Sequence, residues 1–487
     1  MNTHYNHIIE KVYLEVNTSK LETANSIKDN ISKFLTDELF PRLELLFSEY
    51  NIPETVVRYD KLSINLSVDN IENMEHIKHE IYYELETRFK QHLEIEIEQD
   101  STKAQSGNQP ASRISLIKDL ETSFLFFLEN GYLPWYAKEE YITEFTKEKN
   151  WNLCLKDKDF IKRLGKLLKD KNTAVERFIL QFPIETVFSF VEKSNHLFAE
   201  NKKQFMKIFD VLRDNLRVSF LRFLVKVSLF DKQRKWKPIL KKFYLTILEN
   251  EKQLNRFAGF PFVSQFKEVI QKIVSEKGVT DFIAFENDLI SKSNTLPNLI
   301  SESSEIKIKE EEIEQRFIEN ELTEIAVQNA GLILLHPFIK SFFERIDILE
   351  RDGLVKKNKL DVAVQSLHYL ATGDEIFFEG NVIFEKYLCG ALLKMPIPFE
   401  SMLTEIIKDE GIDLLNQAIK NWPALKNTSP DGLRQMFINR DGKLIKSNNS
   451  CKLIVERKAQ DALLDKLNWN ISIVKFPWRK ELLFVEW

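Results

Sequence analysis

The chain has 487 residues, 43% hydrophobic and 29% charged, a composition that argues against long-range disorder and exceeds what one hydrophobic core organises, so about two to four domains are expected. Its 69 basic and 74 acidic residues leave a net charge of −5, which gives no reason to expect nucleic acid as a partner, because such a partner needs a concentrated basic face. Gly (13) and Pro (14) fall well below the roughly 34 and 24 that average usage gives at this length, which favours helices over a turn-rich all-β fold. The 37 Phe against 12 Tyr supply large apolar side chains for packing between helices and for a partner surface.

The N-terminus, Met1-Asn2-Thr3-His4, lacks the basic-then-apolar pattern of a signal peptide. From His7 to Val16 the residues alternate, Val12, Leu14 and Val16 against Lys11, Tyr13 and Glu15, which predicts a half-buried strand. Ile27, Ile31, Phe34, Leu35 and Leu39 then follow helical spacing, and Pro41 is expected to kink that helix or open a second one. Leu62, Ile64, Leu66 and Val68 alternate with Ser63, Asn65 and Ser67 as a second strand, and Met74 to Leu93 reads as a helix. Residues 1–97 are therefore expected to form a small strand–helix–strand–helix module. Two strands alone are marginal, so helix cover or further strands are needed.

Residues 98–113 are polar, aperiodic and contain Ser, Gly and Pro, as a linker does. Residues 114–290 read as an all-helical domain, with Phe124-Leu125-Phe126-Phe127-Leu128 as one turn of a buried helix; no apolar run approaches the length of a membrane span. Residues 291–312, Ser/Asn-rich and then charged, form a second linker or the start of a charged helix, with Glu310-Glu311-Glu312 as a solvated face. Residues 313–487 are expected to form a mixed α+β domain. There, a helical pattern runs to Leu335 and breaks at His336-Pro337; Phe338, Phe342, Ile346 and Leu349 resume an apolar stripe. Leu360 to Ala371 is a helix ended by Gly373, and Ser429-Pro430 caps another. Arg440-Asp441-Gly442-Lys443 reads as a hairpin turn. Lys452 to Glu456 is strand-like, a helix runs through Leu467, and alternating stretches at 470–476 and 481–487 end at Trp487, which should pack against something. The expected fold class is α+β and predominantly helical.

Residues that could carry chemistry are few. His76 and His79 share a helix face beside Glu80, but the order matches neither H-E-x-x-H nor H-x-x-E-H, so two solvent-facing histidines are expected. His336 is expected to pack at a helix junction and His368 to be semi-buried. Cys154, Cys389 and Cys451 are odd in number and far apart, which excludes a disulfide framework or a CxxC knuckle and points to core thiols in a reducing cytosol. Cys389 has no base indicated nearby, and no nucleophile elbow, Walker loop or dinucleotide turn is present. No catalytic, cofactor-binding or metal-ligating residue is assigned, and no cofactor is expected. The Trp corners at Leu133-Pro134-Trp135, Trp422-Pro423, Asn468-Trp469 and Phe476-Pro477-Trp478 are expected to anchor Pro-defined corners in a core rather than to form a stacking surface.

Several stretches together resemble the tape measure family of contractile injection systems, the phage-tail-like particles of bacteria. They are His7-Ile8-Ile9 leading to Leu14-Glu15-Val16, Leu43-Glu44-Leu45-Leu46, Arg58-Tyr59-Asp60-Lys61-Leu62 and Gly131-Tyr132-Leu133-Pro134-Trp135. Towards the C-terminus come Asn329-Ala330-Gly331-Leu332-Ile333-Leu334-Leu335-His336-Pro337-Phe338, Tyr369-Leu370-Ala371-Thr372-Gly373 and Leu388-Cys389-Gly390. The run from Trp422 through Pro430 to Arg434, then Phe476-Pro477-Trp478 and Glu486-Trp487, complete the match, while 150–310 look divergent. The resemblance implies a non-catalytic structural or assembly role, with tube, baseplate or cap proteins as partners and homo-oligomerisation as an option. It implies a cytoplasmic protein that can be incorporated into a released particle. A cytosolic chaperone or adaptor for assembly or toxin loading is the alternative.

An extended ruler of this length would reach roughly 730 Å as one helix. The strands, Pro corners and separate hydrophobic clusters instead predict folded modules, and hence a compact assembly or tube-terminus factor.

Overall fold

The computed structural model describes residues 7–9, 12, 13, 15, 17, 18, 20–49, 55–59, 61–65, 74–99, 111–137, 140–211, 214–230, 323–425, 427–446 and 450–487. The chain divides into two compact units, Met1–Ser123 with Trp135–Ala137, and Phe124–Pro134 with Lys138–Trp487. The fold is mostly helical α+β with two small sheets among the described residues.

In the first unit, α1 (Leu21–Phe34) passes through a π-helical turn, Leu35–Leu39, into α2 (Phe40–Glu49). The widened turn has a cause in the sequence. Pro41 has no amide hydrogen, so an α-helical bond is missing there, and the Phe40 amide instead donates to the Leu35 carbonyl. Strand β1 (Thr55–Tyr59) pairs antiparallel with β2 (Ala111–Ser115), and α3 (Met74–Gln99) lies between them in sequence. Phe34, Leu39, Leu43, Leu46 and Phe89 form the core, with the Phe47 and Tyr59 rings 4.9 and 5.5 Å from Phe89.

Both strands of this unit lie away from the expected places. The described residues between His7 and Val16 carry no strand; Val12 is 49% and Tyr13 85% exposed, so neither side of the alternation is buried. Residues 61–65 are irregular and 66–68 lie outside the described residues, whereas the β-branched run Thr55-Val56-Val57 found a partner in Ala111–Ser115, at the end of the stretch expected to be linker. Alternation marks a strand only when a second edge completes its hydrogen bonds.

The second unit begins within α4 (Leu116–Asn130), from Phe124 onward, and continues through α5 (Glu140–Thr146), α6 (Glu148–Cys154), α7 (Lys158–Asp170), α8 (Asn172–Gln181), α9 (Ile184–Ser194), α10 (His196–Val211) and α11 (Asp214–Phe230). The abundant Phe is spent here. The Phe124 ring meets Phe145, Trp151, Phe160, Phe178 and Phe182 at centroid distances between 5.0 and 6.1 Å, which draws four later helices and the turn after α8 around α4. The helical reading of 231–290, the break at 291–312 and Glu310-Glu311-Glu312 lie outside the described residues.

The C-terminal part packs α12 (His336–Arg345), α13 (Leu360–Thr372), α14 (Ile383–Cys389) and α15 (Glu405–Asn421) with a five-stranded sheet ordered β3 (Thr323–Val327), β4 (Gly442–Lys446), β5 (Ser450–Val455), β7 (Leu482–Glu486), β6 (Ile473–Val474). The pairings are antiparallel except β5 with β7. Two expectations are corrected. The segment before Leu335 is strand β3 followed by a 3₁₀ turn, Ala330–Leu335, rather than a helix. Gly442 opens β4, opposite Val327 and Val455, so Arg440-Asp441-Gly442-Lys443 is not the hairpin turn; residues 447–449, outside the described set, separate β4 from β5.

The 3₁₀ turn runs hard against the π-helical turn Arg434–Ile438. A methyl group on Gly331 would lie 1.8 Å from the Phe437 carbonyl oxygen and 2.7 Å from the Ile438 Cα, backbone that cannot rotate aside. Gly353 has nothing within 4 Å, and only its φ of +84° disfavours a side chain. Gly331→Ala should therefore cost more than about 3 kcal/mol, the upper end of ordinary overpacking, whereas Gly353→Ala should cost about 1 kcal/mol. Urea denaturation of the two variants checks the order.

Candidate functional site: a buried ion network and paired turn motifs

Arg177 on α8 is a charge on an apolar face, flanked by buried Ala174, Val175 and Phe178. Its guanidinium, fully buried, donates from Nε to Glu379 Oε2 at 2.9 Å, from Nη2 to the Lys394 carbonyl at 2.6 Å and from Nη1 to the Leu128 carbonyl. Glu379 gives its other oxygen to Lys386 Nζ at 2.6 Å, and Lys386 also donates to the Leu393 carbonyl at 3.2 Å. Gln181, one turn beyond Arg177, accepts from the Glu379 amide at 3.1 Å and donates to the Ile397 carbonyl at 2.5 Å. Gly131 has φ +84°, and a Cβ there would press within 2.8 Å of Glu379 Oε1 and Arg177 Nη2. That is why the Gly131-Tyr132-Leu133-Pro134-Trp135 corner starts with glycine.

Burial dominates the electrostatics. It lowers Lys386 to about 8 although Glu379 opposes the shift, and it raises Asp361 above the usual carboxylate range against the pull of Lys386. Each member of the trio Arg177, Glu379 and Lys386 has its hydrogen bonds made. The network holds shape.

The other distinctive words of the sequence close on one another. Arg434, in the run from Trp422, donates from Nε to the Leu370 carbonyl and from Nη2 to the Tyr369 carbonyl, both at 3.1 Å, covering the last turn of α13 where Gly373 (φ +83°) ends it. Trp478 donates its indole hydrogen to the Leu388 carbonyl at 2.7 Å, beside Gly390 (φ +73°), which ends α14. Trp469 donates to the Leu334 carbonyl at 2.9 Å and Trp422 to the Leu463 carbonyl at 3.1 Å. Trp487 donates to Asp461 Oδ2 at 3.1 Å. These Trp residues are anchors, whereas Trp135 is 51% exposed.

The residues weighed for chemistry fall in separate places. His79 is exposed, and the His76 side chain lies outside the described residues. His336 is half-buried at the start of α12, its Nδ1 3.0 Å from the Ile333 carbonyl oxygen; burial lowers its pKa below the imidazole norm while that hydrogen bond opposes the shift. His368 is buried, Nδ1 3.4 Å from Glu385 Oε1, which also accepts from Asn329 at 2.8 Å. All three Cys are buried and free. Burial pushes the Cys389 thiol well up, and Glu385 adds to this, the reverse of what an activated thiolate needs. Among the described residues no group of three or more His, Cys, Asp or Glu is placed to hold a metal, and no helix is long and apolar enough to cross a membrane. Arg177, Glu379 and Lys386 were not singled out from sequence, and the available signal was a charge on an otherwise apolar helix face.

Lys386 gives a signed pH dependence. Its pKa is lower folded than unfolded, so the unfolded chain binds more protons between about 8 and 10.5, and Lys386 makes the fold more stable as pH rises through that window. Lys386→Met should remove that rise, read as the difference between wild-type and variant denaturation at pH 7.5 and 9.5. Arg177→Met leaves Glu379 short of a partner and should cost about 3–5 kcal/mol at neutral pH. An Arg177→Met stability within 1 kcal/mol of wild type, on the scale of a surface change, would contradict a locking role.

No curated protein and no solved structure matches the chain. The family model described as contractile injection system tape measure protein matches residues 6–487, essentially the whole chain including every paired turn above, and the protein therefore belongs to the contractile injection system tape measure family, a structural family of tail-like particles.

Proposed function

We propose that this protein acts as a compact, non-catalytic assembly or tube-terminus factor of its particle, in contact with tube, baseplate or cap proteins, rather than as an extended ruler along the tube. One observation carries the reading. Arg177 and Glu379 are 202 residues apart in sequence, and their side chains meet at 2.9 Å. In one continuous helix the same separation spans roughly 300 Å. The chain doubles back on itself, and the helices described after residue 323 are short, from Pro430–Leu433 to the 17 residues of α15.

The test alters length without touching the network. Duplicating a 40-residue stretch within 231–290 would lengthen a helical ruler by about 60 Å. Under the present reading, particles imaged by electron microscopy keep their sheath length, and mass spectrometry of purified particles finds the protein in fixed ratio to the tube subunit. A proportional increase in length would restore the ruler. Intact particles that lack the protein would instead support an adaptor acting before assembly.

A further inference from the structure

The N-terminal end of α15 combines two surface features. Its inner face is buried through Gly411, Leu414, Leu415, Ala418 and Ile419. Ile406, in the first turn, is nonetheless 70% exposed, Met402 just before the Thr404 cap is 47% exposed, and Phe399 is 41% exposed. The exposed Ile376 (61%) belongs to the same neighbourhood, because the adjacent Glu375 accepts from Ser401 Oγ at 2.9 Å and from Lys408 Nζ at 2.8 Å. Ser401 in turn is fixed beside a rigid support: Gln365 of α13 donates to the Pro398 and Glu400 carbonyls and accepts from the Met402 amide at 2.7 Å. The apolar side chains are therefore presented on a braced segment.

The second feature is charge. Ile406, Asp409 and Asp413 recur at helical spacing on the outer face of α15, with Glu405 alongside and Glu400 just before, all exposed. The lysine of this stretch, Lys408, is already held by Glu375 and by Glu405 at 2.6 Å, both of which raise its pKa and keep it charged. Asp374, beside Glu375, is exposed as well. An apolar step thus leads directly into a strip of carboxylates.

We propose that this surface docks a basic amphipathic segment of another protein, whose apolar side chains cover Phe399, Met402 and Ile406 while its lysines or arginines lie along Asp409 and Asp413. Opposite charge along the strip sets the register and speeds encounter, and burial of the apolar step supplies most of the affinity. The surface of the protein offers a comparison. The outer side of the sheet also exposes Ile473, Leu482 and Phe484, with Ile473 paired across from Phe484, but its charges, Lys443 with Glu324 and Lys452 with Glu486, are matched within the sheet. That face has no charge preference for a partner.

The docking surface can be tested on the purified full-length protein, independently of its role in the particle. The probes are a fluorescent 14-residue amphipathic Leu/Lys peptide and its Leu/Glu counterpart, followed by anisotropy. Wild type is expected to bind the Leu/Lys peptide and not the Leu/Glu peptide. Met402→Ser with Ile406→Ser, and separately Asp409→Lys with Asp413→Lys, should each weaken binding at least tenfold with unchanged melting temperature. Leu482→Ser with Phe484→Ser on the sheet should leave binding as it was. The proposal is overturned if wild type does not bind, if the Met402/Ile406 variant binds like wild type, or if the sheet variant is the one that loses binding. A dimer in light scattering that the Met402/Ile406 substitutions dissolve would also overturn it, by making a second copy the occupant.

Discussion

The second unit is built around a guanidinium that is fully shielded from solvent. A guanidinium taken out of solvent costs several kcal/mol, and its recovery depends on geometry. Arg177 recovers it by donating from Nε, Nη1 and Nη2 to one carboxylate and two carbonyls, each from a different stretch of chain: Leu128, Glu379 and Lys394. Apolar residues of equal volume in place of Arg177, Glu379 and Lys386 together would pack in the same hole with similar stability but would accept many arrangements of those stretches. The ion network accepts one. Its contribution is specificity of docking, and the aromatic cluster around Phe124 contributes the adhesion. The two meet where the Phe127 ring sits 4.3 Å from Phe378, next to Glu379.

The same logic repeats at smaller scale through the C-terminal part. Helices α13 and α14 each end on a glycine with positive φ, and each exposes carbonyls that a helix cannot satisfy internally. In both cases a distant side chain supplies the donor, Arg434 for α13 and Trp478 for α14. The distinctive short words of the sequence therefore make sense in pairs. A glycine word lets the backbone turn and come close, and an arginine or tryptophan word reaches across to close the turn. Each of these donors is committed to a backbone carbonyl.

This pairing also explains what could be read beforehand. Gly373 as a helix stop, Ser429-Pro430 as a helix start and the strand near Lys452 are local events, decided within a few residues by φ preference, capping and alternation. The family words were visible for the same reason, being contiguous. The partners of those words were not, because no local period connects Arg177 with Glu379 or Arg434 with Tyr369. The strands of the first unit failed in the instructive direction. Leu62 to Val68 alternates well and Thr55–Tyr59 hardly does, yet the latter pairs with Ala111–Ser115. Register with a second strand, a non-local property, outweighed amphipathic pattern. Lys386 was hidden differently: α14 buries all seven of its residues, Glu385 and Lys386 included, so the helix has no exposed face against which an interior charge could be told apart.

The closure of the second unit bears on what a length-measuring family can mean for this chain. Residues 230 and 323 both belong to one compact unit, and the 2.9 Å contact of Arg177 with Glu379 joins residues on either side of the stretch between them. A ruler transmits length only if added residues displace its ends. Here residues 230 and 323 lie in the same unit, and the buried bonds from Arg177 to Glu379 and to the Lys394 carbonyl join the chain before residue 230 to the chain after residue 323. Under the proposed assembly role the surfaces that matter are docking surfaces, and an exposed apolar step beside a carboxylate strip on α15 is a feature of that kind.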